Sequence, residues 1–148
     1  MEKQKLHLLL ADDDMDDCDF FKEATDEIPH ILKLTILNDG VSLMDFLLKE
    51  HTHLPNLIFL DLNMPKKSGI ECLKDIKANH ALKHIPIIIY STSLDKTVAL
   101  HLYHMGALHY IQKPVEFTNI KKVIKKAIGL LSNINSEQSS KEHFIIQS

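Results

Sequence analysis

The sequence predicts an α/β protein in which five parallel strands form one sheet and helices cover both of its faces. Five short apolar runs recur along the chain, and the segments between them carry apolar residues at helical spacing. Continuous apolar runs are typical of strands that are buried on both faces, as in a parallel sheet. Regular alternation of strand and helix favours an open sheet with right-handed crossovers.

The five predicted strands are each too short to be read as a helix. They are the runs Leu6–Ala11, Leu32–Leu37, Leu57–Leu60, Ile85–Tyr90 and Ala107–Ile111. The apolar positions of the five predicted helices fall within 18–28, 41–48, 70–76, 98–105 and 117–131.

Three local signals place ends or faces of these helices. Ser68 followed by Glu71 predicts a capping box at the start of the third helix. Gly106 suits the left-handed cap that follows the fourth helix. The fifth helix is the most clearly amphipathic, since its apolar face lies opposite a face with four lysines.

Composition places the chain among ordinary globular proteins. It has 148 residues, of which 45% are hydrophobic and 25% charged, with a net charge of −3. That balance gives no reason to expect a nucleic-acid partner. The apolar runs are far shorter than the roughly 20 residues that span a bilayer, and the N-terminus lacks a signal-peptide pattern, so we expect a cytoplasmic protein. Cys18 and Cys72 form no ligand pattern and are expected to be reduced.

We expect one domain over residues 1–131, followed by a polar, flexible tail over 132–148. The composition changes to serine, asparagine and glutamine after Leu131. The last apolar residues, 143–146, could dock either on the domain or on a partner.

Acidic residues follow two of the predicted strands. Asp12 and Asp13 come after the first strand, and Asp61 comes after the third. Ligands of open parallel sheets bind beyond the carboxyl ends of the strands, where strand order reverses, so the three carboxylates should meet there. Close carboxylates repel one another and need a compensating cation. Mg²⁺ suits them because it prefers oxygen ligands.

Other acidic and histidine patterns have simpler interpretations. Asp14, Asp16 and Asp17 suit the start of the following helix. The same segment partly fits a calcium-binding loop, but Asp17 stands where that loop needs glycine, so we reject the match. The pairs His80 with His84 and His101 with His104 lack a third ligand and are read as surface residues.

Two further polar residues are expected at the same edge of the sheet. Lys113 follows the fifth strand, where its ammonium group could pair with Asp61. Ser91 follows the fourth strand and supplies a hydroxyl group. Elsewhere in a chain, each would be read as an ordinary surface or turn residue.

Taken together, these motifs resemble the receiver domains of bacterial two-component response regulators over about residues 5–131. Within that family the chain is most similar to small, stand-alone, chemotaxis-regulator-like receivers, some of which serve phytochrome-type kinases. The shared motifs are Asp12-Asp13, the Asp-Leu-Asn-Met-Pro segment at 61–65 with Gly69 after it, Ser91-Thr92 and Lys113-Pro114.

The resemblance implies a flavodoxin-like, doubly wound (βα)5 fold with strand order 2-1-3-4-5. It implies that Asp61 is the phosphoacceptor. It also implies that Mg²⁺ is held by Asp12, Asp13, Asp61 and the backbone carbonyl of Asn63.

The resemblance assigns three more residues. Ser91 would bond the phosphoryl group, Lys113 would form a salt bridge with it, and Tyr110 would turn inward on activation as part of the switch. The Lys113–Pro114 peptide bond is expected to be cis, an isomer largely confined to bonds that precede proline.

The implied function is a phosphorelay switch rather than an enzyme. A histidine kinase or a histidine phosphotransfer protein would supply the phosphoryl group. An unknown downstream protein would read a surface formed by the fourth helix, fifth strand and fifth helix, through which the chain could also form a homodimer. Direct nucleic-acid and membrane partners are not expected.

Two alternatives stay open at this point. A Mg²⁺-dependent phosphatase of the haloacid dehalogenase type also uses an aspartate after a buried strand, but it usually has a second acidic residue where Asn63 stands. The other alternative is a receiver-like adaptor that binds partners without phosphorylation.

Overall fold

The structure, a computed structural model, describes residues 5–49, 53–132 and 141–147. Strands and helices alternate along the described chain, and a 3₁₀ turn at Lys141–His143 precedes the last strand. The elements are β1 (Leu6–Ala11), α1 (Met15–Asp26), β2 (Ile31–Leu37), α2 (Gly40–Leu48), β3 (Leu57–Leu60), α3 (Gly69–Ala78), β4 (Ile87–Ser91), α4 (Lys96–His104), β5 (His109–Gln112), α5 (Phe117–Ser132) and β6 (Ile145–Ile146).

The strands form one parallel sheet in the order β2-β1-β3-β4-β5-β6. The predicted 2-1-3-4-5 order is confirmed, and β6 is added beside β5. In register, Ala11 lies beside both Leu37 and Leu60, while Ser91 lies beside Gln112. The carboxyl ends of β1, β3, β4 and β5 therefore reach one edge of the sheet together.

Two apolar layers cover the sheet, one on each face. On the side of α1 and α5, the rings of Phe21, Phe59 and Tyr90 pack edge to face, with centroids 4.9 to 6.2 Å apart. The other layer packs α2, α3 and α4 against the sheet. Every residue of β1, β3 and β4 is buried, which explains why these strands read as continuous apolar runs.

The predicted helix signals are confirmed. Ser68 and Glu71 form a capping box at the start of α3. Gly106 follows α4 with a φ of 101°, which an L side chain rarely adopts. The Asp14 side chain caps α1 by accepting a hydrogen bond from the backbone N–H of Asp17.

The last described residues dock on the domain, which is one of the two outcomes that the sequence left open. The side chain of Phe144 is buried, and Ile145 lies beside Tyr110 in the pairing of β6 with β5. The rest of the predicted tail, residues 133–140 and 148, lies outside the described residues. A strand at this place pairs the edge of β5, which would otherwise present unpaired backbone groups. The short segment 143–146 is enough to pair with β5, although polar residues dominate the composition of the chain before it.

In the part of the chain that the structure describes, no helix combines the length and the apolar character needed to cross a membrane.

Candidate functional site

Three carboxylates meet where β1 and β3 end. Asp12, Asp13 and Asp61 each offer an oxygen, and these oxygens all lie within 4.8 Å of one another. Asp12 is fully buried, Asp61 is nearly so, and Asp13 is exposed. The structure therefore brings together the three acidic residues that the sequence predicts as a group.

The backbone around Asp12 and Asp61 is fixed by the sheet. The N–H of Asp12 donates to Leu37 across 3.0 Å, and the N–H of Asp61 donates to Ala11 across 2.9 Å. The side chain of Asn38, which follows β2, donates to the Asp12 carbonyl across 2.9 Å. These bonds set the direction in which both carboxylates leave the sheet.

The loop after β3 passes very close to α3. A Cβ on Gly69 would lie 2.1 Å from the carbonyl oxygen of Asp61, closer than such atoms approach one another. The N–H of Gly69 also donates to the Leu62 carbonyl across 2.9 Å. Glycine at this position therefore keeps the start of α3 tight against the residue that carries the central carboxylate.

Lys113 crosses this acidic group from the end of β5. Its ammonium nitrogen lies 2.7 Å from Oδ2 of Asp12, 2.8 Å from Oδ2 of Asp17 and 3.4 Å from Oδ2 of Asp61. The side chain is only 6% exposed, and the ring centroid of Tyr90 lies 5.6 Å from the ammonium nitrogen. The predicted position of Lys113 beside Asp61 is confirmed, but two other carboxylates hold the lysine more closely.

The predicted cis bond between Lys113 and Pro114 is wrong, because the described chain contains no cis peptide bond. Trans is the preferred isomer even before proline. The N–H of Lys113 donates to the Ser91 carbonyl across 2.8 Å, continuing the pairing of β4 with β5. This trans arrangement still delivers the lysine to the acidic group.

The pKa values of Asp12 and Lys113 both depend on burial and on the contact between the two groups. Burial raises the pKa of Asp12 to about 6, and the hydrogen bond from Lys113 offsets only part of this. Burial acts to lower the pKa of Lys113, but hydrogen bonds to Asp12 and Asp17 outweigh it and hold the pKa above its usual range. One ammonium group thus contacts three carboxylates, Asp13 adds a fourth to the site, and the site lacks positive charge.

That shortage of positive charge fits a divalent cation. Carboxylate oxygens in a partly buried group are the ligands that Mg²⁺ accepts in proteins. Asn63 lies at the rim of the same group, with its N–H 3.5 Å from Oδ1 of Asp61. Asp12, Asp13 and Asp61 are the residues that would hold Mg²⁺, and the Asn63 carbonyl stays the further ligand that the resemblance implies. Among the described residues, no other group of histidine, cysteine or acidic side chains is arranged to hold a metal.

Ser91 and Tyr110 lie beside each other on the β4–β5 side of the site. Ser91 is fully buried, with its hydroxyl oxygen 3.5 Å from that of Ser93. The Tyr110 ring is also buried, and its hydroxyl donates to the Ser93 carbonyl. Tyr110 therefore already has the inward position that the sequence prediction reserves for the activated state.

The last strand accounts for the buried position of Tyr110. The N–H of Tyr110 donates to the Phe144 carbonyl across 3.0 Å, and the ring of Phe144 packs edge to face against Tyr103 of α4 at 5.3 Å. Ile145 is the register partner of Tyr110. The edge of β5 beside Tyr110 is thus occupied by the chain's own C-terminal residues.

Asp17 is the site residue that the sequence prediction missed. It does stand in the first turn of α1, as expected, but its carboxylate also binds Lys113. The only signal in the sequence is its position shortly after Asp12, because the first turn of the helix that follows β1 lies over the same edge. Spacing alone does not show which face of that helix points to the site.

The chain is similar to known proteins over most of its length. The family model described as response regulator receiver domain matches residues 8–125. Response regulator Rcp1 of Synechocystis sp. (strain ATCC 27184 / PCC 6803 / Kazusa) is 37% identical over 131 residues, which cover 84% of this chain and 86% of Rcp1.

Two solved structures are similar over most of their length. The phosphorylated cyanobacterial phytochrome response regulator RcpA is 29% identical with a TM-score of 0.80, covering 88% of this chain and 97% of RcpA. The Mn²⁺-bound form of response regulator Rcp1 is 29% identical with a TM-score of 0.77, covering 91% of this chain and 99% of that one.

Proposed function

The chain belongs to the response regulator receiver domain family, and from this membership we propose that Asp61 is its phosphoacceptor, served by Mg²⁺ and Lys113. As a receiver, the protein is a component of two-component signalling. The observation that carries the proposal is the meeting of Asp61, the carboxylates of Asp12 and Asp13, and the ammonium of Lys113 at one edge of the sheet.

The proposed reaction is phosphoryl transfer from a phosphohistidine to Asp61. A carboxylate oxygen of Asp61 forms a bond to phosphorus while the phosphorus–nitrogen bond breaks, and the bonding electron pair returns to the imidazole. Carboxylates act as nucleophiles in other aspartyl-phosphate chemistry. The contacts of Asp61 with Lys113 and Asn63, at 3.4 and 3.5 Å, are both long, so its oxygens are not committed to strong partners.

For phosphoryl transfer a protein mainly has to position the reacting groups and neutralise their charge. Lys113, close to Asp61, would pair with phosphoryl oxygens. The buried Ser91, at the end of the neighbouring strand, would donate its hydroxyl to one of them. Mg²⁺, when bound by Asp12, Asp13, Asp61 and the Asn63 carbonyl, would supply the remaining positive charge. The Mn²⁺-bound form of Rcp1 supports a divalent cation in this role.

We propose a histidine kinase or a histidine phosphotransfer protein as the phosphoryl donor. An open groove of about 670 Å³ beside Lys113 would admit a donor side chain, and the exposed apolar residues Phe20 and Val115 lie along it. RcpA is described as a phytochrome response regulator, which supports a kinase of the phytochrome class for this chain as well.

We propose that the signal leaves through α4, β5 and α5, by partner binding or homodimer formation. Because β6 covers the edge of β5, any partner at this face would meet the C-terminal residues as well. A cytoplasmic location fits the two free cysteines of the described chain.

The two alternatives have less support. A haloacid dehalogenase phosphatase usually has an acidic residue at the position of Asn63 and would turn over phosphate esters many times. A phosphorylation-independent adaptor would bind its partner equally well as wild type and as Asp61→Ala. We propose instead a switch that assists its own phosphorylation and dephosphorylation without being an enzyme for other substrates.

The proposal is tested by incubating the protein with Mg²⁺ and acetyl phosphate and measuring intact mass. We expect one labile phosphoryl group on wild type and none on Asp61→Asn. Asp45→Asn, an exposed aspartate on α2, is the matched control and should behave as wild type. An adduct that persists in Asp61→Asn would contradict the assignment.

A further inference from the structure

We propose that Asp17 is a positioning residue that shares Lys113 with the phosphorylation site. By doing so it makes phosphorylation of Asp61 less favourable. The proposal deepens the function proposed above and rests on it. Its basis is the ion pair between Asp17 and Lys113, which joins the first turn of α1 to the residue after β5.

The position of Asp17 is fixed by its own helix. Its N–H donates to the capping side chain of Asp14 across 3.1 Å, so the backbone at 17 is held at the start of α1. Its carboxylate then reaches Nζ of Lys113 at 2.8 Å, and the side chain is 29% exposed. The pair is therefore partly shielded from water, where an ion pair is stronger than on an open surface.

Lys113 has a limited number of bonds to give. An ammonium group carries three N–H donors, and here three carboxylates lie within 4.0 Å of it. Asp12 and Asp17 are the two close partners, whereas Asp61 is the distant one. A phosphoryl group on Asp61 would have to draw the lysine toward itself against the attraction of Asp17.

Asp17 also adds a negative charge beside the place that the phosphoryl oxygens would take. A phosphorylated side chain carries roughly −1.5 to −2 charges. The sharing of Lys113 and this charge repulsion act in the same direction, because each makes the binding of a phosphoryl group or its analogue at Asp61 less favourable. Asp17 would thus lower the fraction of protein that is phosphorylated at a given supply of phosphodonor.

The affinity of the Mg²⁺-loaded protein for beryllium trifluoride, a phosphoryl analogue, tests this by fluorine NMR titration. We expect Asp17→Asn to bind it about three- to tenfold more tightly than wild type, the size of effect that one nearby charge has in a partly exposed site. Asp16→Asn removes the same charge from an exposed neighbour on α1 and should match wild type.

A double variant separates the sharing of Lys113 from simple repulsion. In a Lys113→Gln background, the effect of Asp17→Asn should be smaller than in wild type, because no lysine remains to be shared and only charge repulsion is left. An undiminished effect in that background would overturn the proposal, as would equal affinities of Asp17→Asn and Asp16→Asn.

A second measurement needs neither metal nor analogue. Urea unfolding gives the free energy of unfolding of wild type, Asp17→Asn, Lys113→Gln and the double variant. The effects of the two substitutions on this free energy should be non-additive, and Asp17→Asn should be less destabilising in the Lys113→Gln background than in wild type. Additive effects would overturn the proposal even if Asp61 proved not to be the phosphoacceptor. If wild type takes up phosphoryl on Asp61 but the cycle is additive, only the role of Asp17 fails.

Discussion

Lys113 and Asp12 form an ion pair of 2.7 Å although they follow strands that are not neighbours in the sheet. Two strands, β3 and β4, lie between β1 and β5, so the lysine side chain crosses the carboxyl edge above them. This contact places the site's one ammonium group over Asp61, and the carboxylates around it still outnumber it. The behaviour expected of the protein follows largely from that imbalance.

Removing the charge of Asp12 should stabilise the protein in the absence of divalent cations. Burial raises the pKa of Asp12 to about 6, so the folded state favours the protonated form, and stability declines as pH rises from about 4 to about 6. At pH 7.5 we expect Asp12→Asn to increase the free energy of unfolding by about 1–3 kcal/mol, measured by urea titration with a chelator present.

Asp13→Asn is the control for this substitution, because it removes the same charge from an exposed position. Both variants should lose much of the stabilisation that added Mg²⁺ gives wild type. A metal-free Asp12→Asn that is less stable than Asp13→Asn would show that the Lys113 ion pair outweighs the cost of burying Asp12.

The hydroxyl group of Ser91 should be needed for phosphorylation, whereas its exact side chain should not. Ser91 is fully buried at the end of β4. Loss of one hydrogen bond to a charged group is expected to slow phosphorylation by acetyl phosphate about 10- to 100-fold in Ser91→Ala. Ser91→Thr keeps the hydroxyl and should retain most of the rate. Equal rates for the alanine and threonine variants would argue against a role for the hydroxyl.

Phe144→Ala should undock the C-terminal strand. The Phe144 side chain is 2% exposed, and truncation of a buried phenylalanine usually costs about 3–5 kcal/mol. Because residues 141–147 can leave the sheet locally, we expect a smaller global loss of about 1–3 kcal/mol. Hydrogen exchange should show reduced protection at the N–H of Tyr110, which donates to the Phe144 carbonyl. The exposed Glu142→Ala control should leave this protection intact.

The contact between His109 of β5 and the backbone of Phe144 should make stability depend on pH. Burial lowers the pKa of His109, although its hydrogen bonds to the backbone of Phe144 and His143 act in the opposite direction. Lys126 and His143 are the charged and titratable neighbours that disfavour its protonation. The unfolded chain therefore binds a proton more readily, and stability should fall as pH drops below about 6.5.

His109→Gln should flatten this pH dependence of the free energy of unfolding, measured by urea titration between pH 5 and 8. His80→Gln, at an exposed position, should leave the slope as in wild type. If both variants keep the wild-type slope, another group controls stability in this range.

Much of the fold follows from local pattern. The runs 6–11 and 57–60 are strands to the residue, because both are bounded by acidic or polar residues at the sheet edge. The predicted fourth strand begins two residues too early, since Pro86 lacks an N–H and Ile85 donates to Leu82 in the preceding turn. The predicted fifth strand begins early for a related reason, because Ala107 still bonds to Leu102 of α4.

The site residues also divide into those that the sequence predicts and those that it does not. Residues that directly follow strands, such as Asp12, Asp61 and Lys113, could be placed from the sequence because parallel strands end at a common edge. Asp17 could not, since its contact with Lys113 spans 96 positions and depends on the rotation of α1. The docking of Phe144 likewise depends on a free sheet edge that no local pattern reveals.

The central claim, that Asp61 accepts the phosphoryl group, is tested most directly by chemical mapping. Sodium borohydride reduces an acyl phosphate of aspartate to homoserine, so the phosphorylated residue can be read by peptide mass spectrometry after treatment with acetyl phosphate and Mg²⁺. We expect homoserine at position 61 and at no other aspartate. Homoserine at position 12 or 13, with Asp61 intact, would contradict the assignment.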